Sequence, residues 1–183
     1  MVITHYKPLI KSFQSKVELL FGGLSEEEFT FKPSKRKWSV QQCIQHLNAS
    51  GNLYAQQVAR AIDTGNHKGN NGCSYRKLPR FMIWVVKPPY HVRLIAPKSF
   101  KPPPYKQQAT ESKQKTIQTF SELQTRLYNQ VCTVHKHCLE GAVVSSPLTR
   151  LIRLNLCELF GLVCAHEKRH IWQAEKMIQS RRQ

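Results

Sequence analysis

Acidic side chains are scarce in this sequence. Its 183 residues include 28 lysines and arginines but only 11 aspartates and glutamates, which gives a formal net charge of +17. More than half of that excess lies in residues 65–106, which carry nine lysines and arginines and no acidic residue. Such a segment either meets an anionic partner or packs against acidic residues from elsewhere in the chain, and those are few.

Long hydrophobic runs are absent as well. The longest uninterrupted apolar run covers the six residues 81–86, whereas about 20 are needed to cross a bilayer. No cationic segment followed by an apolar stretch opens the sequence, so no export signal is visible. Because apolar residues make up 40% of the chain, we expect a folded cytoplasmic protein with no membrane partner and a single domain over residues 1–183.

Cysteine pairs with C-x-x-C spacing are also missing. Four of the six cysteines fall within helical patterns, where a reduced thiol packs as a small apolar side chain. Without an export signal we expect buried free thiols rather than disulfides, with Cys73, which lies in a polar loop, as the exception. The other cysteines are Cys43, Cys132, Cys138, Cys157 and Cys164.

What the sequence does contain is helical periodicity. Apolar residues recur at spacings of three and four in four long stretches. These stretches are residues 6–21, 39–64, 107–139 and 156–179. Ser39 with Gln42, and Asn155 with Glu158, fit capping boxes at the starts of the second and fourth. The pattern predicts an all-α protein, a four-helix bundle with a long crossover between the second and third long helices.

Two shorter segments complete the secondary-structure prediction. Ser25 and Glu28 indicate one capped turn of helix. Residues 73–106 are interrupted by prolines, and we expect one short helix there together with irregular chain. Since no strand-like alternation is visible, we expect no sheet.

The most specific local signal is a pair of histidines, His166 and His170. On a helix, residues four apart lie on one face with Cβ atoms about 5–6 Å apart, so their imidazoles can share one metal ion. His170 falls within the apolar face of the last helix and His166 at its edge. Imidazoles that point towards a core are costly unless each finds a partner, and a metal ion would supply one.

Residues 166–170 also match the HExxH motif of zinc proteases. Only 13 residues follow His170, and they contain no histidine and a single glutamate, Glu175. Proteases of that class take their third ligand from farther downstream or from a Gly-x-x-His extension, which is absent here. We therefore reject a zinc protease.

A third ligand must come from upstream. His46 is the candidate inside a predicted helix, although it lies about 120° from the centre of that helix's apolar face, which supports it only weakly. His135 and His137 are two apart, so at most one can face a core. The remaining histidines lie at termini or in loops, where a solvated imidazole is usual: His5, His67 and His91. Spacing alone leaves the third ligand open.

Several motifs resemble the DinB/YfiT-like family. They are Trp38-Ser39-Val40, His46-Leu47, the basic proline stretch Phe100-Lys101-Pro102, and Leu154-Asn155-Leu156 followed by His166-x-x-x-His170 and Gln173. The resemblance covers nearly the whole chain, most specifically residues 36–54 and 150–178. It implies a four-helix bundle that holds one metal ion with three histidines, which in this sequence are His46, His166 and His170.

The resemblance also implies an activity. Members of the family often form dimers, and relatives with known activity are metal-dependent transferases or isomerases that use low-molecular-weight thiols. We therefore expect a homodimer, a divalent metal ion (zinc or nickel), a thiol co-substrate and a small anionic substrate. Three imidazoles leave coordination positions open, as in catalytic sites. The basic, proline-rich segment 65–106 departs from the common family pattern, so the substrate does not follow from the resemblance.

Three alternatives stay open. The same metal could serve a hydrolase with Glu167 as its base, although we favour Glu167 as an ordinary helix-surface glutamate. Residues 75–105 interleave aromatic and basic side chains, which suits an anionic-surface or nucleic-acid binder. We rank nucleic acid third, because no recognised nucleic-acid motif is present. The third alternative is a bundle that has kept its histidines but lost its chemistry. The aromatic residues that alternate with basic side chains in residues 75–105 are Tyr75, Phe81, Trp84, Tyr90, Phe100 and Tyr105.

Overall fold

The computed structural model of the protein describes residues 2–34, 37–65, 73–88 and 111–181. Among them are six α-helices, one turn of 3-10 helix at Ile3–His5, and a two-stranded sheet. The elements are α1 (Tyr6–Gly22), α2 (Glu26–Thr30), α3 (Val40–Thr64), α4 (Lys77–Val86), α5 (Lys113–Lys136), β1 (Val143–Ser146), β2 (Thr149–Asn155) and α6 (Leu156–Arg181). Within these ranges, no helix is both long enough and apolar enough to cross a membrane.

The four long helices form the predicted bundle. α3 packs against α5 and α6, α1 packs against the same two helices, and α4 lies on the outside of α6. The core contains the fully buried rings of Phe21, Phe29, Phe120 and Phe160. The all-α fold and the long connection between the second and third bundle helices, which includes α4, are confirmed. Most of the basic segment 65–106 lies outside the described residues.

The predicted capping boxes are present. The Ser39 hydroxyl accepts a hydrogen bond from the backbone N–H of Gln42 at 3.1 Å, and the Gln42 side chain accepts one from the backbone N–H of Ser39 at 3.1 Å. The corresponding bonds between Asn155 and Glu158 are 2.8 and 2.9 Å long. Each box satisfies backbone donors that the helix leaves without a partner. These caps fix where α3 and α6 begin.

Two secondary-structure predictions need correction. α5 is shorter than predicted, because it begins at Lys113 with Ser112 as its cap and ends at Lys136, while residues 107–110 lie outside the described residues. Residues 143–155 were expected to contain no strand, but β1 and β2 pair antiparallel, with Val143 opposite Asn155. The alternation in β2 was hidden because Leu151 points to solvent beside the inward-facing Ile152 and Leu154.

The expectation of free thiols is wrong for one pair. Cys73 and Cys157 form a disulfide with a Cα–Cα distance of 5.4 Å. The two residues are 84 positions apart and meet because the chain preceding α4 packs on the first turn of α6. Such a contact is a tertiary property that sequence spacing does not show. Of the free cysteines, Cys43 and Cys164 are buried, whereas Cys138 is exposed.

Candidate metal centre

Two helices bring three histidines together. His46 lies in the second turn of α3, and His166 and His170 lie one turn apart on α6. The ring centroids are 4.9 Å apart for His46 and His166, 4.5 Å for His46 and His170, and 4.6 Å for His166 and His170. The side chains of His46 and His170 are buried, and that of His166 is partly exposed. His166 is therefore the member of the triad whose side chain is most exposed among the described residues.

The ring nitrogens have the geometry of a ligand set. One nitrogen from each ring lies within 4.8 Å of the other two, and the Nε2 atoms of His46 and His166 are 3.0 Å apart. Tetrahedral zinc with Zn–N bonds of about 2.0–2.1 Å separates ligand nitrogens by about 3.3 Å. The Nδ1 atom of His170 is buried and has no hydrogen-bond partner among the described residues. The residues present therefore fit a metal ion.

The electrostatic environment keeps two of the rings uncharged. Burial, together with the proximity of His46 and Arg169, lowers the pKa of His166 to about 3. Burial likewise holds the pKa of His170 well below its ordinary value, and the neighbouring His166, His46 and Arg169 lower it further. A neutral imidazole has the free lone pair that metal binding requires, so both rings are ready to bind at neutral pH.

Trp38 forms one wall of the centre. Its ring lies 4.9 Å from that of His46 and 5.6 Å from that of His170, and the latter pair is stacked with an interplanar angle of 21°. Trp38 immediately precedes the cap of α3, so the same local structure that starts the helix also fixes this ring. The indole thereby restrains the orientation of two of the three imidazoles.

Comparison with known proteins assigns the family. A family model described as the DinB superfamily matches residues 10–174, a range that includes all three histidines. The chain belongs to the DinB superfamily. The resemblance stated from the sequence is thus confirmed. Searches of curated proteins and of solved structures returned no match.

The surroundings of Glu167 in this DinB chain differ from the expected ones. The side chain is 2% exposed rather than on the helix surface, and its Oε1 accepts a hydrogen bond of 2.7 Å from the Gln124 amide. Burial raises the pKa of this carboxyl to about 7, although the bond from Gln124 acts in the opposite direction. Glu167 is not part of the cluster that could hold a metal ion. The sequence prediction was wrong because α6 is covered on several sides.

Sequence reasoning missed a polar contact beside the DinB triad. Glu111 lies just before α5, and its backbone carbonyl accepts a 2.7 Å hydrogen bond from the Gln41 side chain. Its carboxylate accepts a 2.6 Å bond from Gln45, the residue that precedes His46. These bonds hold the chain entering α5 against the turn of α3 that carries His46. Gln41 and Gln45 belong to no recognised motif, so no sequence signal would have predicted these contacts.

The remaining described histidines lie outside the cluster, as expected. His135 Nδ1 lies 3.1 Å from a Glu140 carboxylate oxygen, and His5 Nδ1 lies 2.8 Å from the Val2 carbonyl oxygen. His137 is exposed at the end of α5. His67 and His91 lie outside the described residues. His135 and His137 are therefore suitable positions for control variants.

Proposed function

We propose that His46, His166 and His170 bind one divalent metal ion, zinc or nickel, and that the protein is a metal-dependent enzyme. The observation that carries the proposal is the set of three imidazole nitrogens within 4.8 Å of one another. Three protein ligands leave at least one coordination position open, which distinguishes a catalytic from a closed structural site. Membership of the DinB superfamily supports a thiol-dependent S-transferase or isomerase as the activity, and a homodimer as the assembly.

The protein's own part in this chemistry is positioning. A bound ion would supply Lewis-acid activation of a thiol or a water molecule. The chain holds the imidazoles in place before the ion arrives, and Trp38 stacks on His170 and restrains that ring. A net charge of +17 favours a thiol and a small substrate that carry carboxylates. The hydrolase alternative is less favoured, since Gln124 engages Glu167 Oε1.

Metal content tests the site directly. The protein is purified without a histidine tag, and bound metal is measured by elemental mass spectrometry beside His170→Ala and His137→Ala. We expect near-stoichiometric metal in the parent and in His137→Ala, and at least about a ten-fold loss in His170→Ala. Circular dichroism checks that both variants fold. Equal metal in the two variants would remove the triad from the proposal.

The thiol is tested separately. Cobalt is exchanged into the purified protein, and its visible spectrum is recorded before and after a low-molecular-weight thiol is added. A change in the cobalt bands supports a thiol at the open position, and transferase screening follows. If the bands stay unchanged, the thiol is rejected while the metal site stands.

A further inference from the structure

The outer face of α4 is apolar although it faces solvent. Leu78, Phe81 and Trp84 are 59%, 58% and 54% exposed, and their spacing of three places them on one side of the helix. The rings of Phe81 and Trp84 stack with centroids 5.9 Å apart. Pro79 and Ile83, on the opposite side, are buried against the bundle. We call Leu78, Phe81 and Trp84 the α4 outer face.

Positively charged side chains flank this face. Lys77, Arg80 and Lys87 are exposed, and none of the ion pairs found among the described residues involves them. Arg76, just before the helix, differs because it pairs with Glu158 at 2.6 Å. Acidic residues are absent from the whole of residues 65–106. As far as the chain is described, the α4 outer face is therefore an apolar centre whose rim carries cations outside any ion pair.

The helix is fixed in this orientation. Arg76 donates hydrogen bonds to Glu158 from its side chain and from its backbone N–H, and the Asn155 side chain donates to the carbonyl of Ser74 at 2.8 Å. The Cys73–Cys157 disulfide lies beside these bonds. At the other end of α4, the Arg169 guanidinium donates to the Val85 carbonyl at 3.4 Å. The attachments hold the inner face of α4 on α6, so the outer face points away from the bundle.

We propose that the α4 outer face binds the surface of an anionic phospholipid membrane. Leu78, Phe81 and Trp84 enter the boundary between headgroups and acyl chains, where aromatic side chains are favoured. The cations at the rim meet the lipid phosphates, and the net charge of +17 attracts the whole chain to the surface. A helix of ten residues is about 15 Å long, so α4 lies in the interface.

Other occupants fit less well. Two copies of the chain would bring two faces of the same positive charge together. A protein partner normally covers about 800 Å² on each side, which a single convex helix of ten residues does not offer. Single-stranded nucleic acid would stack bases on Phe81 and Trp84, but Leu78, the third member of the face, has no ring on which a base can stack. The sequence expectation of no membrane partner considered spanning segments, which surface binding does not require.

Vesicle sedimentation tests the proposal. The parent is mixed with vesicles of phosphatidylcholine alone or with about 30% phosphatidylserine, at about 0.1 M salt. We expect at least about ten-fold tighter binding to the anionic vesicles, and a similar loss in the triple variant Leu78→Ser, Phe81→Ser, Trp84→Ser. The matched control is Leu19→Ser with Leu151→Ser, since these leucines are 80% and 92% exposed elsewhere. Circular dichroism confirms folding, and the control should bind like the parent.

Two double charge-reversal variants distinguish docking through the α4 outer face from general electrostatic attraction to the vesicles. Lys77→Glu with Arg80→Glu, and Lys115→Glu with Lys136→Glu, change the net charge equally at exposed positions. Only the first pair should weaken vesicle binding by at least about ten-fold. An equal loss in both pairs would overturn the proposal, because it would show non-specific charge attraction alone. So would binding of a single-stranded oligonucleotide that needs the α4 outer face while vesicles are not bound.

Fluorescence locates the contact. Brominated lipids should quench tryptophan emission in the parent, and Trp84→Phe should abolish the quenching although Trp38 and Trp172 remain. Quenching that persists in Trp84→Phe would contradict the proposed surface. His170→Ala should bind vesicles like the parent, so the metal site and the membrane surface can fail independently.

Discussion

At the scale of single residues, Glu158 joins three parts of the molecule. Its side chain is fully buried, closes the capping box with Asn155, and accepts hydrogen bonds from the side chain and backbone of Arg76. Burial raises the pKa of this carboxyl, but the hydrogen bonds from Arg76 and Asn155 outweigh burial, so its pKa lies below the ordinary value of 4.5. The ionised form of Glu158 therefore stabilises the fold.

This lowered pKa predicts an acid-sensitive contribution to stability. A depressed pKa in the folded state gives stability that is present above pH 4.5 and is lost as the pH falls through the folded-state value. The free energy of unfolding, measured by urea denaturation, should therefore fall more steeply with acid for the parent than for Glu158→Gln. At neutral pH, Arg76→Ala should cost about 2 kcal/mol, because it leaves the buried carboxylate without its main partner.

The control for this measurement is Glu175→Gln. Glu175 pairs with the half-exposed Lys16 at 2.8 Å, and an exposed pair contributes less than about 1 kcal/mol. Parallel acid curves for the parent and Glu158→Gln would contradict the role assigned to Glu158.

The histidines show how far residue-level prediction reaches. The four-residue spacing of His166 and His170 predicted a shared face, and their rings are neighbours in the structure. His46 lies off the apolar face of its helix, so spacing supported it weakly, and the family resemblance supplied it. The structure buries His46 because α3 is enclosed by α5 and α6 and contacts α2. An enclosed helix has no single buried face, and Glu167 was misjudged for the same reason.

At the scale of secondary-structure elements, the approach of α3 to α5 depends on a missing side chain. A Cβ atom at Gly51 would lie 2.5 Å from the Cδ2 of Leu123, which is itself buried. Glycine inside a helix costs up to about 1 kcal/mol relative to alanine, so its presence here indicates that the close approach outweighs that cost.

Gly51→Ala should therefore destabilise the protein. We expect a loss of about 1–3 kcal/mol from overpacking against Leu123, despite the better helix propensity of alanine. The matched change is Gly22→Ala, near the end of α1, where a Cβ would meet nothing within 4 Å. This variant should gain up to about 1 kcal/mol. The two variants and the parent are compared by their midpoints of guanidinium denaturation. A Gly51→Ala protein more stable than the parent would contradict the close approach of α3 to Leu123.

Helices proved easier to predict than strands. A capping box is a local pattern of four residues that depends little on tertiary contacts, and all three predicted boxes are present. The β1–β2 hairpin has only four residues in its first strand and an outward-facing Leu151, so its alternation was too short and too irregular to detect.

At the scale of the whole molecule, the Cys73–Cys157 disulfide closes a loop of 84 residues that includes α5. The cross-link restricts the unfolded chain, and a loop of this length predicts a stabilisation of about 4–5 kcal/mol. The contact joins the chain before α4 to the start of α6, so it also secures the position of α4 on the bundle.

Reduction should therefore lower stability. We expect the free energy of unfolding of the parent to fall by about 4–5 kcal/mol when a reductant is present. Cys73→Ala should show the lower free energy of unfolding with or without reductant. The control is Cys132→Ala, which removes a free thiol of α5 and leaves the disulfide intact, so its stability should fall on reduction as that of the parent does. Identical unfolding curves for oxidised and reduced parent protein would refute the predicted contribution.

The distance in sequence between the triad's members affects when the triad can form. His46 and His166 are 120 residues apart, whereas the β1–β2 hairpin and the α6 cap are complete within residues 143–158. Contacts between neighbouring residues form early during folding, and contacts that close long loops form late. The three imidazoles therefore meet only when the first half of the chain has docked on the last helix. The triad therefore depends on the docking of α3 on α6, so a chain in which these two helices have not met presents no complete set of ligands.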